Sequence, residues 1–278
     1  MIIWLASYPK SGNTWVRILV SSIIKFKEID FENPFALTKQ IESYPNVKHF
    51  SDLAKDIKNP DEIVQNWINS QDKLNLDKKI KIFKTHNLLG SFGKYSFTNT
   101  NNTAGVIYIV RDPRNIVSSL KNHFSLEDIN AAKKFILAKD NWVYGETGVL
   151  PTFVSSWKMH YLSWKNFPKN YLLIKYEDLL KSPTNEIIKI YNYLKKFFQL
   201  ELKDKDLDKI LKLSTFENLK KKEKEGKFKE NLEHLKTKNK IDFFNSGPSS
   251  DWKKQLNSSL VNELEKEFSG EMKELGYI

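Results

Sequence analysis

The sequence predicts an α/β protein: one domain with a central, mostly parallel β-sheet flanked by helices. Two observations carry that expectation. Short apolar runs alternate along the chain with longer stretches of helical spacing, the pattern of strands joined by helical crossovers. The 278 residues are also 40% hydrophobic and 13% aromatic, enough to bury a large core and too apolar for a disordered tail.

The elements follow in chain order. Ile2-Ile3-Trp4-Leu5-Ala6-Ser7 is apolar without alternation, as a strand buried on both faces must be. Pro9 and Gly12 break the chain, and Thr14 to Val20 resumes with helical spacing, giving strand, tight loop, helix. Ile80 to Lys84 reads as a second strand with alternating charges. Gly105 to Val110 reads as a third, stopped by Arg111-Asp112-Pro113. Leu172 to Tyr176 reads as a fourth. Helices are expected over 61–70, 114–124, 151–165 and 184–198. No Pro/Gly/Ser linker separates two cores, so residues 1–278 are expected to form a single domain. The Lys/Glu-rich stretch 218–240 around Gly226 reads either as a solvated helix or mobile loop, or as a lid over a bound anion.

Composition excludes several function classes. The absence of cysteine removes disulfides, thiolate metal ligands and a cysteine nucleophile. The N-terminus lacks a basic region ahead of its apolar run, and no apolar run approaches the roughly 18 residues of a membrane span. A soluble, cytoplasmic protein is expected. With 45 Lys+Arg against 34 Asp+Glu the net charge is +11, but only Arg17, Arg111 and Arg114 are arginines. Scattered lysines are solvated surface rather than a designed basic face, so no nucleic-acid partner is expected. In so lysine-rich a chain, an arginine marks a place where a planar fork is needed.

Tyr8-Pro9-Lys10-Ser11-Gly12-Asn13-Thr14-Trp15 is the most informative stretch. It leaves a buried strand and opens a helix, so backbone N–H groups without intrahelical partners point outward at the positive end of the helix dipole. That is an anion site. Gly12 permits close approach, Thr14 adds a hydroxyl and Lys10 a cation. The Walker pattern is absent, because the lysine precedes the glycine.

This run resembles the 5′-phosphosulfate loop of the sulfotransferase family, Y-P-K-S-G-T-x-W, with Asn13 as its one departure. Lys84-Thr85-His86 resembles the family's K-T-H segment. Tyr108 to Ser119 resembles its 3′-phosphate segment, with Arg111 and Ser119 eight apart, and Lys175-Tyr176-Glu177-Asp178-Leu179 its K/R-Y-E-D-L segment. Weaker echoes lie in Ser214-Thr215-Phe216 and in Gly247 to Lys253. The ordered set covers nearly the whole chain. The resemblance implies a P-loop nucleotide kinase-like fold and transfer of a sulfuryl group to a hydroxyl or amine. The implied donor is 3′-phosphoadenosine 5′-phosphosulfate (PAPS), whose product is 3′-phosphoadenosine 5′-phosphate (PAP). No metal is expected. The acceptor would be a small molecule, a glycan or a lipid.

Under this resemblance His86 is the candidate base, and Lys10 and Lys84 neutralise the leaving phosphate and the transferring sulfonate. Lys10, Ser11, Gly12, Asn13, Thr14 and Trp15 form the phosphate loop. Arg111 and Ser119 take the 3′-phosphate, and Trp15, Tyr176, Ser214 and Phe216 lie near the nucleotide, with Gly247 in the last motif. Trp15, Tyr176 and Phe216 read equally as core aromatics, Arg114 equally as a partner for Asp112, and Arg17 as a structural ion pair. The family's R-K-G cations are absent at Asn245-Ser246-Gly247, where lysines of 236–240 are the candidate substitutes. The dimerisation pattern is degraded from Lys253 to Ser258, which leaves the oligomeric state open. Tyr44, Phe50, Phe124, Trp142 and Tyr144 either line an acceptor pocket or fill the core. A small-molecule kinase and a non-catalytic nucleotide- or polyanion-binding protein are the competing readings.

Overall fold

A computed structural model describes residues 1–144, 148–228, 232–233, 240–244 and 251–278. Two compact units emerge, each assembled from three stretches of chain. The first comprises Met1–Pro9, Ile41–Val110 and Leu137–Ile174; the second comprises Lys10–Gln40, Arg111–Ile136 and Lys175–Ile278.

The first unit is built on a five-stranded sheet. Its strands are β1 (Ile2–Ser7), β2 (Glu42–Ser43), β3 (Lys81–Thr85), β4 (Thr103–Val110) and β5 (Tyr171–Lys175), and only Lys175 falls to the second unit. Their spatial order is β2-β3-β1-β4-β5. β1 runs parallel to β3, with Ile2 opposite Lys81 and Ala6 opposite Thr85, and parallel to β4, with Ser7 opposite Ile109. Every residue of β1 and β4 is buried, which explains why their sequences are apolar without alternation.

Four helices bear on the site: α1 (Asn13–Ile24), α2 (Pro113–His123), α3 (Trp157–Lys165) and α4 (Phe216–Lys224). α3 packs on β1 and β4, burying Trp157, His160, Tyr161 and Trp164. In the second unit α1 packs against helices Pro183–Leu194 and Asp204–Leu213, and Ile18 joins Phe35, Leu219, Phe228 and Phe244 in an apolar cluster. Among the described residues, no helix is long and apolar enough to cross a membrane.

Three helix expectations change in detail. The stretch 61–70 divides at Asn66 into Pro60–Gln65 and Trp67–Asn75. The Asn66 amide donates to the carbonyls of Glu62 (3.0 Å) and Leu53 (3.2 Å), competing with the helical ladder. The stretch 151–165 is helical only from Trp157. Ahead of it Thr152–Phe153 pairs with Trp142–Val143, Ser155 has φ 55, and Ser156 caps α3 by accepting from Met159 N. The last helix ends at Leu194 rather than 198, where the N–H groups of Phe197 and Phe198 both turn back to the Leu194 carbonyl. Of the segment 218–240, residues to Lys224 lie in α4. Leu232–Glu233 and Lys240–Ile241 pair as antiparallel strands, and 229–231 and 234–239 lie outside the described residues.

Candidate active site

The loop after β1 owes its shape to two residues in the left-handed region, Lys10 (φ 67) and Gly12 (φ 98). Glycine is required at position 12 twice over. The backbone conformation disfavours a side chain, and a Cβ there would stand 2.5 Å from Tyr176 Cδ2. α1 then starts at Asn13, with Trp15 N and Val16 N donating to the Gly12 carbonyl at 3.1 and 3.3 Å. No side chain caps this end, and no acidic residue stands in the first turn. Its positive dipole end is therefore not countered locally. Ser11, Asn13 and Thr14 are buried, and Trp15 is half-buried with its ring 5.9 Å from Tyr176.

Lys10 has an environment that its sequence position did not foretell. Its ammonium lies 3.3 Å from His123 Nδ1 and 4.2 Å from the Phe243 ring centroid. An ammonium can only donate, so His123 Nδ1 accepts. His123 ends α2 and carries no motif signal of its own. Phe243 is held by α4, whose buried Glu223 accepts from Phe243 N (2.7 Å) and Phe244 N (2.9 Å).

Arg111 follows β4 and donates from Nη1 to the Lys10 carbonyl at 3.1 Å, while its guanidinium stacks 4.3 Å from the Tyr176 ring. Arginine 111, tyrosine 176 and the phosphate loop thus form one packed assembly inside the second unit. Burial raises the Tyr176 pKa, and Arg111 acts in the opposite direction. Arg111 Nε and Ser11 Oγ are buried without a hydrogen-bond partner among the described residues. An uncapped helix start, a glycine cradle and buried donors without acceptors fit an anionic phosphate ligand.

Arg114 belongs to a different structure. It forks onto Asp112 (Nη2 to Oδ2, 2.6 Å), meets Glu265 at 2.5 Å and donates to the Tyr277 carbonyl at 2.8 Å, with Trp252 4.2 Å from the guanidinium. Its fork is spent on protein groups, as the Asp112 pairing alternative expects. Asp112 caps α2, and its own N–H donates to Glu177 Oε1 at 3.0 Å. Glu177 also accepts from the Tyr277 hydroxyl at 2.9 Å, and burial raises its pKa. Arg17 is buried within α1.

The remaining nucleotide candidates divide. Ser119 is half-buried in α2. Ser214 is buried and donates to the Leu211 carbonyl, and Phe216 is partly buried against the apolar cluster, with its ring 6.1 Å from Phe244. Gly247, with Asn245 and Ser246, lies outside the described residues, as do the lysines of 236–239.

Lys84 and His86 belong to the first unit. Lys84 is half-buried near the end of β3, opposite Leu5 and Ser43. His86 lies just beyond the strand, with Nδ1 2.7 Å from the Ser7 carbonyl and 3.2 Å from Ser7 Oγ. A carbonyl oxygen cannot donate, so Nδ1 carries the hydrogen and Nε2 the lone pair of the neutral ring. That is the tautomer a general base needs. Its backbone is held in turn: the His86 carbonyl is 3.1 Å from His160 Nε2, and the Asn87 carbonyl accepts from Trp164 Nε1 at 2.9 Å. His160 and Ser7 escaped sequence reasoning because a lone buried histidine and a strand-end serine carry no pattern.

The acceptor-pocket candidates divide between core and partly exposed positions, Phe124 and Trp142 being half-buried. Tyr44 and Phe50 are buried, the Tyr44 hydroxyl meeting Ser70 Oγ at 2.5 Å. Phe124 stacks on Phe135 at 5.1 Å, and Trp142 packs with Phe92 and Phe153. Tyr144 is exposed.

Comparison with known proteins places these features in a family. A model of the sulfotransferase domain matches residues 2–276. Cytosolic sulfotransferase 13 of Arabidopsis thaliana is 27% identical over 94% of this chain and 74% of its own length. The 3-beta-hydroxysteroid sulfotransferase of Cavia porcellus is 25% identical over 96% and 82%. Among solved structures, retinol dehydratase in complex with retinol and PAP superposes with a TM-score of 0.65 at 17% identity, covering 98% of this chain and 81% of that one. A mouse sulfotransferase complexed with PAP gives 0.58 at 20% identity, covering 98% and 84%.

Proposed function

This chain belongs to the sulfotransferase domain family, and we propose that it moves a sulfuryl group from PAPS to a hydroxyl or amine of a small molecule. The observation that carries the reading is the anion cradle of Lys10 to Thr14 with Arg111 against Tyr176. PAPS supplies the activated sulfuryl group. The N-terminal end of α1 and the Lys10 ammonium bind the 5′-phosphate and stabilise the charge it gains as the S–O bond to it breaks. Arg111, with Ser119, binds the 3′-phosphate, and Trp15 and Tyr176 flank the base. His86 Nε2 takes the acceptor's proton as the new bond to sulfur forms, and Nδ1–H on Ser7 keeps the ring in that tautomer. Lys84 is assigned to the sulfonate. One sulfotransferase-like domain spanning 1–278 is part of the proposal, as is a small-molecule acceptor, the kind named for the relatives that act on steroids and flavonols.

The test is thermal unfolding with PAP and with ATP. A ligand binding only the native state stabilises it by about 2.7 kcal/mol at a hundred times its Kd. PAP should raise Tm more than ATP, which lacks the 3′-phosphate. Equal shifts would favour a kinase. Binding of PAP with no transfer to any hydroxyl or amine would favour a non-catalytic nucleotide-binding protein.

A further inference from the structure

One face of α3 is committed to the backbone that follows β3. His160, Ser163 and Trp164 stand three and four residues apart and so share a helical face. The His160 imidazole reaches the His86 carbonyl at 3.1 Å, Ser163 Oγ accepts from Leu89 N at 3.1 Å, and Trp164 Nε1 donates to the Asn87 carbonyl at 2.9 Å. Three backbone groups between His86 and Leu89 are thus gripped by side chains of a single helix. His160 is itself oriented, because its Nδ1 lies 2.8 Å from the hydroxyl of Tyr108 in the middle of β4. Both rings are fully buried.

The proton assignments of this chain are forced. The His86 carbonyl can only accept, so His160 Nε2 donates. A neutral His160 then has only Nδ1 left to accept, and the Tyr108 hydroxyl donates to it. Burial holds His160 neutral by pushing its pKa down to about 3. Donation therefore runs from Tyr108 to His160 to the His86 backbone, and separately from His86 Nδ1 to the Ser7 carbonyl. Two strands, β1 and β4, fix both ends.

We propose that α3 is a positioning element for His86. His160, oriented by Tyr108, holds the His86 carbonyl while Ser163 and Trp164 hold the next backbone groups, so that the imidazole keeps Nδ1 on Ser7 and presents Nε2. His160 is a positioning residue in this scheme and takes no proton. The inference rests on the reading of His86 as the base, and its test separates the two. The readout is the tautomer of His86, followed by two-bond ¹⁵N–¹H spectra of the imidazoles in the full chain. Transfer from PAPS to 4-nitrophenol gives kcat and KM, and PAP calorimetry reports the donor site.

In the wild type His86 should be a single Nδ1–H tautomer. His160→Ala should shift it toward the Nε2–H form that free imidazoles favour and lower kcat by about 10²-fold, the cost of an ångström-scale misplacement, with PAP affinity unchanged. His160→Gln, whose side-chain amide can donate from a similar reach, should restore the tautomer and most of kcat. A merely structural role would lower Tm and leave the tautomer in place. A folded His160→Ala protein with a wild-type His86 tautomer and kcat would overturn the proposal, as would a His160→Gln variant no better than His160→Ala. Should His160→Ala not fold, Tyr108→Phe removes one hydroxyl and decides by the same readout. An unchanged tautomer and kcat there would also overturn it. If transfer survives His86→Ala, the base assignment fails, while the tautomer still decides the role of α3.

Discussion

Arg111 and Arg114 lie three residues apart in one motif and do unrelated things. Arg114 spends its fork on Asp112, Glu265 and the Tyr277 carbonyl, tying the chain's C-terminal end to the start of α2. Arg111 has one hydrogen bond to the Lys10 carbonyl, a stacked Tyr176, and a buried Nε without a partner among the described residues. The first is internally satisfied; the second is the one proposed to meet the 3′-phosphate. Arg111→Lys keeps the charge but loses both the planar stack and the fork. A charged hydrogen bond of this kind is worth about 1.5–3 kcal/mol, so Kd for PAP should rise about tenfold or more. Calorimetry with the folded variant checks this. An unchanged Kd would mean that the 3′-phosphate is held elsewhere, with the lysines of 236–240 the first candidates.

At the scale of the element, α3 carries a cost that can be measured. Burial lowers the pKa of His160 to about 3 and that of His49, on the same unit, to about 4. An unfolded histidine titrates near 6.5, so between pH 6.5 and 4 the unfolded chain binds protons that the folded one does not. The sign follows: the stability is complete above pH 6.5 and is lost as the pH falls. The slope should be about 1.4 kcal/mol per pH unit for each histidine once fully protonated on unfolding. Denaturant titrations at pH 7, 6, 5 and 4 should show it, and His160→Gln should remove one proton's share. A flat profile would contradict a neutral, buried His160. The same helix marks where sequence reading stopped. Ile2–Ser7 was legible because an unbroken apolar run has few alternatives, and the start of α1 because a glycine between strand and helix has a local cause. The start of α3 was not: the apolar spacing of 151–165 ignored Ser156, whose side chain sets the true cap. His160 and His123 were illegible for a deeper reason. Their partners, the His86 carbonyl and Lys10, are 74 and 113 residues away.

At the scale of the molecule, residues 2–276 match one family domain, while the described chain packs as two units. Among the described residues every nucleotide candidate, from Lys10 to Phe216, belongs to the second unit; Lys84 and His86 belong to the first. Motif order along the sequence revealed the family but not this division, which arises because each unit draws on three separate stretches of chain. The division gives the proposed roles a physical consequence. Removing a nucleotide group should cost donor affinity, and removing the base should not. The most direct measurement is calorimetry with PAP on His86→Ala and Lys10→Ala side by side. His86→Ala should bind PAP as the wild type does and lose about 10²–10⁴ in transfer rate, whereas Lys10→Ala should lose both. If His86→Ala weakens PAP binding as much as Lys10→Ala does, His86 belongs to the donor site and the account is contradicted.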